Sequence, residues 1–572
     1  MKKIAYTLCI GLMIMILLLG CNTATTTKEG RTMATVTDNV ASIRAAILGI
    51  DVRESIAGGI EGINTEVVST TAKEAVLEGQ FNSLVINAGS SNAEIVAGRT
   101  SSVTAETFDT IGHRIDDVDT QLADNAQYIN ISTNVTEMQQ LITAGKRVYV
   151  PDGHYYLTTP IIMPSNSYLE LGKNAIMELV AGSNCYMVMN SDQVNGNDNI
   201  TVKGGKWLGN GAGQTRVFGG TLADSYYGFG FSFYKVTHLT CHDHYFEETN
   251  SWAISHMSCN YVDIRNIELN QLIPMAQNGD GVTGSSSNVY IDNVYGFTND
   301  DMVCVAAGGA YMAGNELLYE KISVSNIFIS NVKALSRGAS NSWKAVAFYS
   351  RDGLKLSNVF VKNIHGISSA ALIYVGGSTG IGYFDNINIS NVDGTSTDEA
   401  KAVLMFDTAI NISTLNISNM SRVETVGNVA QILIKGDCTI GQLTVNNVNV
   451  LWKNEKSAQV ILDFGLVSYI NLNNIIAFNQ NASPVVTPIY RKLTTSSSSL
   501  VTHITAQGIQ YRNVSSLAEG FVLDNPTTTS KASLKGRDLI VDRTKLTPQK
   551  WDYVMDVTNG PSVWNGTAWV AG

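Results

Sequence analysis

Two periodicities divide the chain. From Met33 to about Asn130 apolar residues recur at steps of three and four, and from about residue 140 onward they alternate with polar ones at a period of two. The first pattern predicts helices and the second strands. Ile43, Ile47 and Ile50, then Ile56, Ile60, Ile63 and Val67, make a stripe too narrow for a full core-facing side. Such a stripe calls for a partner helix. Ile111, Ile115, Val118, Leu122 and Ile129 repeat it across Asp109 to Asn130, a length suited to a short coiled coil and too short to persist alone. A small helical domain is the plain reading; oligomerisation, most of all as a homotrimer, is the favoured one.

The period of two begins at Gly145-Lys146-Arg147-Val148-Tyr149-Val150-Pro151-Asp152-Gly153-His154-Tyr155-Tyr156-Leu157, which predicts a strand, a Pro-Asp-Gly turn and a second strand. Further on, two alternating apolar positions followed by Asn and then Val, Ile or Met recur with the Asn at 266, 293, 331, 363, 391, 419, 447 and 474. Most steps are 27 or 28 residues. Self-similarity at that period in β-forming words predicts an all-β, right-handed parallel β-helix, with the Asn residues laddered at a turn. A leucine-rich repeat needs its own Leu spacing and a propeller four strands per about 40 or more residues, and neither fits. Successive coils lie about 4.8 Å apart, so equivalent positions form columns. The one step of 38 residues holds an insertion near Ala307 to Lys321, a loop at the edge of a groove. Expected boundaries are a leader over 1–32, a helical attachment segment over 33–135, the β-helix over 136–510, and a cap or tip over 511–572.

Composition agrees with a solenoid. The 572 residues exceed what one compact core supports, and 50 Gly with 9 Pro and 15% charged residues suit a β-rich chain. The net charge of −11 and the lack of any long basic run argue against a nucleic-acid partner. Lys2 and Lys3, the apolar run Ile10 to Leu19 and then Gly20-Cys21 read as an export signal. Leu18-Leu19-Gly20-Cys21 resembles the lipobox of bacterial lipoproteins, which implies lipidation of Cys21. Met33-Ala34-Thr35 reads as a second start, since Lys28-Glu29-Gly30 can be encoded by a purine-rich ribosome-binding sequence. Cys185, Cys241, Cys259, Cys304 and Cys438 are expected as buried free thiols. No cofactor and no metal site are expected.

Candidate chemistry lies at 278–304. Second strands begin at comparable points of successive coils, and the residue before each is Trp252, Asp280, Asp301 and Lys344. The register therefore predicts one column holding Asp280, Asp301 and Lys344, with Asp300 beside it. Close carboxylates cannot all ionise, so one is pushed towards the protonated acid that serves a leaving-group oxygen while another activates water. Trp252, Trp343, His256, Arg337 and Arg351 are the expected substrate contacts. Glu247 and Glu248 are placed in the same groove, and Trp207, Tyr226 and Tyr227 are further stacking candidates. His238, His242 and His244 are expected on a common solvent-facing side rather than on a metal.

Resemblances extend this reading. Val40 to Asn64, with Val85 to Val96 and Ile111 to Asp116, resembles the N-terminal segment of upper baseplate and tail proteins of phages infecting Gram-positive bacteria, which implies attachment to a virion tail. Gly145 to Leu157 resembles the opening of pectate-lyase-like β-helices. Asn278-Gly279-Asp280-Gly281 and Asn299-Asp300-Asp301 resemble the Asn-Thr-Asp and Gly-Asp-Asp motifs of polygalacturonase-type glycoside hydrolases. That likeness implies Asp301 or Asp300 as the acid, Asp280 sharing the water, and inversion at the cleaved carbon. The family's Gly-His-Gly is replaced here by Ser342-Trp343-Lys344, and its Arg-Ile-Lys by Ala370-Ala371-Leu372-Ile373.

Three functions stay open on these residues. The first is a tailspike-like polysaccharide depolymerase working by hydrolysis. The second is a glycan-binding or structural tail fibre or surface lipoprotein, in which the Asp motifs are only turns. The third is a polysaccharide lyase, with carboxylates on Ca²⁺ and Arg337, Lys344 or Arg351 as the base. All three place the protein outside the cell, on a virion tail or a lipid-anchored surface.

Overall fold

Asn residues in the left-handed backbone region set the corners of the stack. The computed structural model describes residues 50–87, 129–130, 134–271 and 278–309, and most of 311–571 as strands separated by short undescribed stretches. The chain falls into two units that meet at 124/125.

In the first unit the described element is a 38-residue helix, Ile50–Asn87. Ile56, Ile63, Val67 and Leu77 stand exposed along it. The expected coiled coil over 109–130 and the leader with Cys21 lie outside the described residues, apart from the short strand Ile129–Asn130.

The second unit opens on the helix Val135–Thr143. Asn134 caps it by accepting from the Thr136 and Glu137 N–H groups at 3.0 and 3.2 Å. Met138 and Ile142 are buried in the same core as the first coil's Val148 and Val150. Strands then pair in parallel, coil upon coil. One inward row runs through Cys241, Ile264, Ile291, Ile329, Val361, Ile389, Ile417, Val445 and Leu472. Every one of these side chains is buried, so the repeat's apolar words form one continuous core. The stack is the parallel β-helix that the repeat predicts, and its pairing runs from Ile129–Asn130 to Ser533–Lys535.

The Asn of each repeat adopts positive φ, from 52° at Asn474 to 59° at Asn363. Asn tolerates that region better than other residues with a Cβ. Asn363, Asn391, Asn419, Asn447 and Asn474 each donate their amide to the Asn one coil earlier, at 2.8 to 3.2 Å. A second ladder, unforeseen, links Asn260, Asn288, Asn326, Asn358 and Asn386. Arg147–Val150 and His154–Leu157 are the two predicted strands, and each pairs in parallel with the next coil, at Ser167–Leu171 and Ile176–Leu179. The Pro-Asp-Gly turn is a corner of the coil, because a buried coil offers both strands a parallel neighbour.

A second column of strands carries the candidate site, with Phe231, Ile254, Val282, Val303, Val346 and Ile373 in register. The insertion forms a small hairpin, Tyr311–Met312 with Asn315–Glu316. It then sends Leu317 and Tyr319 into an aromatic cluster with Tyr186, Tyr227, Tyr234, Trp252 and Met257. The last strands, Ile540–Val541, Tyr553–Asp556, Gly560–Trp564 and Trp569–Ala571, make a separate four-stranded sheet.

Candidate active site

The register places the carboxylates. With Val282, Val303 and Val346 aligned, Asp280, Asp301 and Lys344 stand two residues earlier on successive rungs, and Asp301 pairs directly with Lys344. Backbone bonds continue the column: Gly281 N–H donates to the Asp301 carbonyl at 2.9 Å, and Ala253 N–H to the Asp280 carbonyl at 3.0 Å. Met302 and Val303 both enter the core, which leaves Asp301 outside it.

All three side chains are enclosed: Asp280 is 4% exposed, Asp301 3% and Lys344 6%. Asp300 is half-buried beside them, and Trp343 is 52% exposed. Lys344 Nζ donates to Asp301 Oδ1 at 2.8 Å, and Tyr349 Oη to Asp301 Oδ2 at 3.3 Å. Thr283 Oγ1 donates to Asp280 Oδ2 at 2.7 Å, while Asp280 Oδ1 is buried without a partner among the described residues. The Asn278 N–H donates to Asp300 Oδ2 at 3.1 Å.

Burial, and after it the charges of Asp300 and Asp301, pushes the Asp280 carboxyl well above its ordinary range. Burial and then Asp301 raise Asp300 to about 7. Burial opposes the Lys344 ammonium, yet Asp301 and Asp300 outweigh it and its pKa is raised. Asp280 and Asp300 therefore hold protons to a higher pH than ordinary carboxyls do, beside a fixed cation. Such a set can give a proton to a leaving oxygen and take one from water.

The other predicted contacts divide. Trp343 lies open beside Lys344, whose Nζ is 5.4 Å from its ring. Arg351, 8% exposed, packs against the Tyr349 ring at 5.6 Å. Arg337 lies in the strand Ser336–Arg337, and its side chain lies outside the described residues. Trp252 is on the predicted rung but buried against Phe229, with ring centroids 4.4 Å apart. It is part of the aromatic cluster rather than an open platform. His256 is not in the groove: it pairs with Phe233 and Gly284 at an inward position, is fully buried, and neither ring nitrogen has a partner among the described residues. Burial lowers its pKa to about 3, so it is neutral.

The three histidines do not share a side. His238 faces out to Asp198 at 2.9 Å, and His242 is near Asp263, while His244 is buried against the Gly204 and Val202 carbonyls. Asp243 causes the switch, because its φ of 65° breaks the alternation. Trp207, Tyr226 and Tyr227 are buried too, and Glu247 is engaged by Tyr245 and Asn270 in another column of strands. Thr283 and Tyr349 were missed. With the column fixed, stepping along the same strands from Asp280 and Lys344 would have found both.

No family model matches the chain, and no curated protein does. Among solved structures, a Yersinia enterocolitica family 28 exopolygalacturonase matches with 15% identity and a TM-score of 0.40, covering 69% of this chain and 79% of its own. The catalytic domain of a GH87 alpha-1,3-glucanase in complex with tetrasaccharides matches with 13% identity and a TM-score of 0.41, covering 72% and 68%. The tailspike protein 3 of bacteriophage CBA120 matches with 11% identity and a TM-score of 0.30, covering 87% and 76%. Likenesses at these scores carry no argument about activity, so the site is read from its own geometry.

Proposed function

We propose that this is an extracellular polysaccharide-degrading β-helix protein of a phage tail, which cleaves glycosidic bonds by carboxylate acid/base hydrolysis at Asp280 and Asp300. One observation carries the reading: Asp300, raised to about 7, is the half-buried member of an otherwise enclosed carboxylate cluster. A carboxyl that keeps its proton near neutrality and can meet a ligand is what a general acid requires. The Asp300 charge helps to raise Asp280, so the two carboxyls do not ionise independently. With one proton between them, one serves the leaving oxygen and the other the attacking water. Asp301, clasped by Lys344 and Tyr349, fixes the turn that presents Asp300. Trp343 offers a face for a sugar ring at the opening.

The lyase reading has less support among the described residues, where two of its three candidate bases are engaged: Lys344 is salt-bridged and enclosed, and Arg351 is packed on Tyr349. A binding-only fibre is favoured by the 3% to 6% exposure of Asp280, Asp301 and Lys344. The N-terminal segment is read as the attachment to other tail proteins and as the homotrimer's seam, and Cys21 as lipidated only if the signal-bearing form is the working one.

The test is cleavage of host surface polysaccharide, followed by reducing ends and by ultraviolet absorbance of unsaturated uronates. Wild-type protein should release reducing ends without the absorbance. Asp300→Asn and Asp280→Asn should each lose at least a hundredfold in rate while still binding the polymer. Binding without release by the wild type would establish the fibre reading, and undiminished release by both variants would remove these residues from the mechanism.

A further inference from the structure

The Asp301 and Lys344 pair has a property the hydrolytic reading does not use. Its two side chains are 5% and 8% exposed and meet at 2.8 Å between rungs that pair directly, so their backbones are already held in register. Three rings close round the amine: Tyr374, Trp343 and Tyr349 lie 5.0, 5.4 and 5.7 Å from Nζ. On the far side of Asp301, one rung away, stands the Asp280 carboxyl, held through Oδ2 by Thr283 with Oδ1 buried and without a partner among the described residues. An amine, a carboxyl and a second carboxyl thus lie on three successive rungs in a place sheltered from water.

An enclosed ion pair is costly to keep, because both charges have left water and their attraction returns only part of that loss. Burial pushes towards the neutral form, amine and carboxylic acid, while the Asp301 and Asp300 charges hold the ammonium, so the neutral pair is the minor form, reached by passing one proton across the 2.8 Å contact. A neutral amine against a carboxyl carbon, with an acid adjacent, is the arrangement for amide formation, and the fixed geometry replaces a bimolecular encounter.

We propose that Lys344 and Asp301 condense into an intramolecular amide that staples two successive coils of the site column. The ammonium first passes one proton to the Asp301 carboxylate. The Nζ lone pair then forms a bond to Cγ, and the C–O bond of the carboxyl hydroxyl breaks. That hydroxyl leaves as water with a proton from Asp280, which regains one from the nitrogen. One C–N bond is made, one water is released, and no oxidant or reductant takes part. Asp280 and Asp300 keep their carboxyls and the burial that is the largest cause of their raised pKa, so the staple and the hydrolytic reading stand apart.

Mass spectrometry of the folded full chain tests this without any substrate. The wild type should be one water lighter than its sequence, and protease digestion should yield a branched peptide joining the segments that contain Asp301 and Lys344. Lys344→Arg, which keeps the positive charge but presents a guanidinium that is no nucleophile at neutral pH, should have the full sequence mass with an unchanged circular dichroism spectrum. Asp280→Asn, which cannot deliver the proton, should have full mass or form the bond at least tenfold more slowly. A wild type of full mass overturns the proposal. A deficit that survives in Lys344→Arg places the lost water elsewhere and overturns it equally. Absence of reducing-end release would bear only on the hydrolase, since the mass deficit needs no glycan.

Discussion

Asp300 sits where burial and a neighbouring charge act in the same direction. Both disfavour its ionised form, which raises it from 3.8 to about 7, against the opposing pull of Lys344 and the Asn278 N–H. A carboxyl whose pKa is higher in the folded chain binds its proton more tightly there. Its contribution to stability is full below the unfolded value and is lost as pH rises through the folded one. Between 3.8 and about 7 the wild type should therefore lose stability with rising pH, by an amount on the order of a few kcal/mol for this group. Asp280 is raised as well and titrates in the same sense, so the wild type alone does not isolate Asp300. Asp300→Asn, measured by thermal midpoint across that range, should show a shallower decline than the wild type. Parallel curves for the two proteins would contradict the raised pKa. The same residue scale explains what escaped the sequence. His256 shares parity with Ile254 and so faces inward, whereas placing it by nearness to Asp280 ignored parity. His244 was unreadable for the opposite reason, since nothing in Thr240-Cys241-His242-Asp243 announces that Asp243 turns left-handed and flips the side chains after it.

Ladders are the element in which sequence and structure agree most closely. The repeating Asn predicted both a corner and a stack, because few side chains combine tolerance of positive φ with an amide that can donate and accept at once. Asn391 shows both. At φ 56° it donates to Asn363 at 2.8 Å and accepts from Asn419 at 3.0 Å. Replacing it with Ala should remove both properties and cost about 2 kcal/mol, while Gly keeps the backbone freedom and should cost about 1 kcal/mol. Denaturant midpoints at unchanged slope would read the difference. Equal losses from Ala and Gly would mean that the backbone conformation contributes nothing. The second ladder stayed hidden because its members, Ser287-Asn288, Ser325-Asn326 and Ser357-Asn358, precede the apolar words instead of following them. The pairing of the first two strands was not legible, since turn chemistry at Pro151-Asp152-Gly153 is the same whether the next strand folds back or continues round a coil. The Asp280, Asp301 and Lys344 column was legible because it needed only the register of neighbouring strands. Its enclosure was not, since the rings round Lys344 include Tyr374 from the next coil, and Trp252 is buried by a cluster that draws Tyr319 from within the 38-residue step.

For the whole molecule the open question is how many copies work together, and the described helix bears on it. Ile56, Ile63 and Leu77 fall on one heptad position, and Ile60 and Val67 on the one that follows by four. Of these, Ile63 is 54% exposed and Leu77 67%, and their heptad spacing makes them part of an apolar stripe that a second helix can cover. Isoleucine at both seam positions favours three or more strands over two. Thr70 and Glu74 interrupt the seam further along, so the stable part is its first two heptads. A trimer would bring three copies of the candidate site to one glycan surface, and a weak contact per copy would become a firm one together. Light scattering of the full chain should give three times the chain mass. The double variant Ile60→Asp with Ile63→Asp, which buries charge in the seam, should be monomeric, keep its rate on short soluble fragments, and bind intact host surfaces at least a hundredfold more weakly. A monomeric wild type would end the argument. A variant that stays trimeric would move the interface from the helix to the second unit, where the exposed Tyr290, Phe328 and Phe360 row would be the next place to place charges.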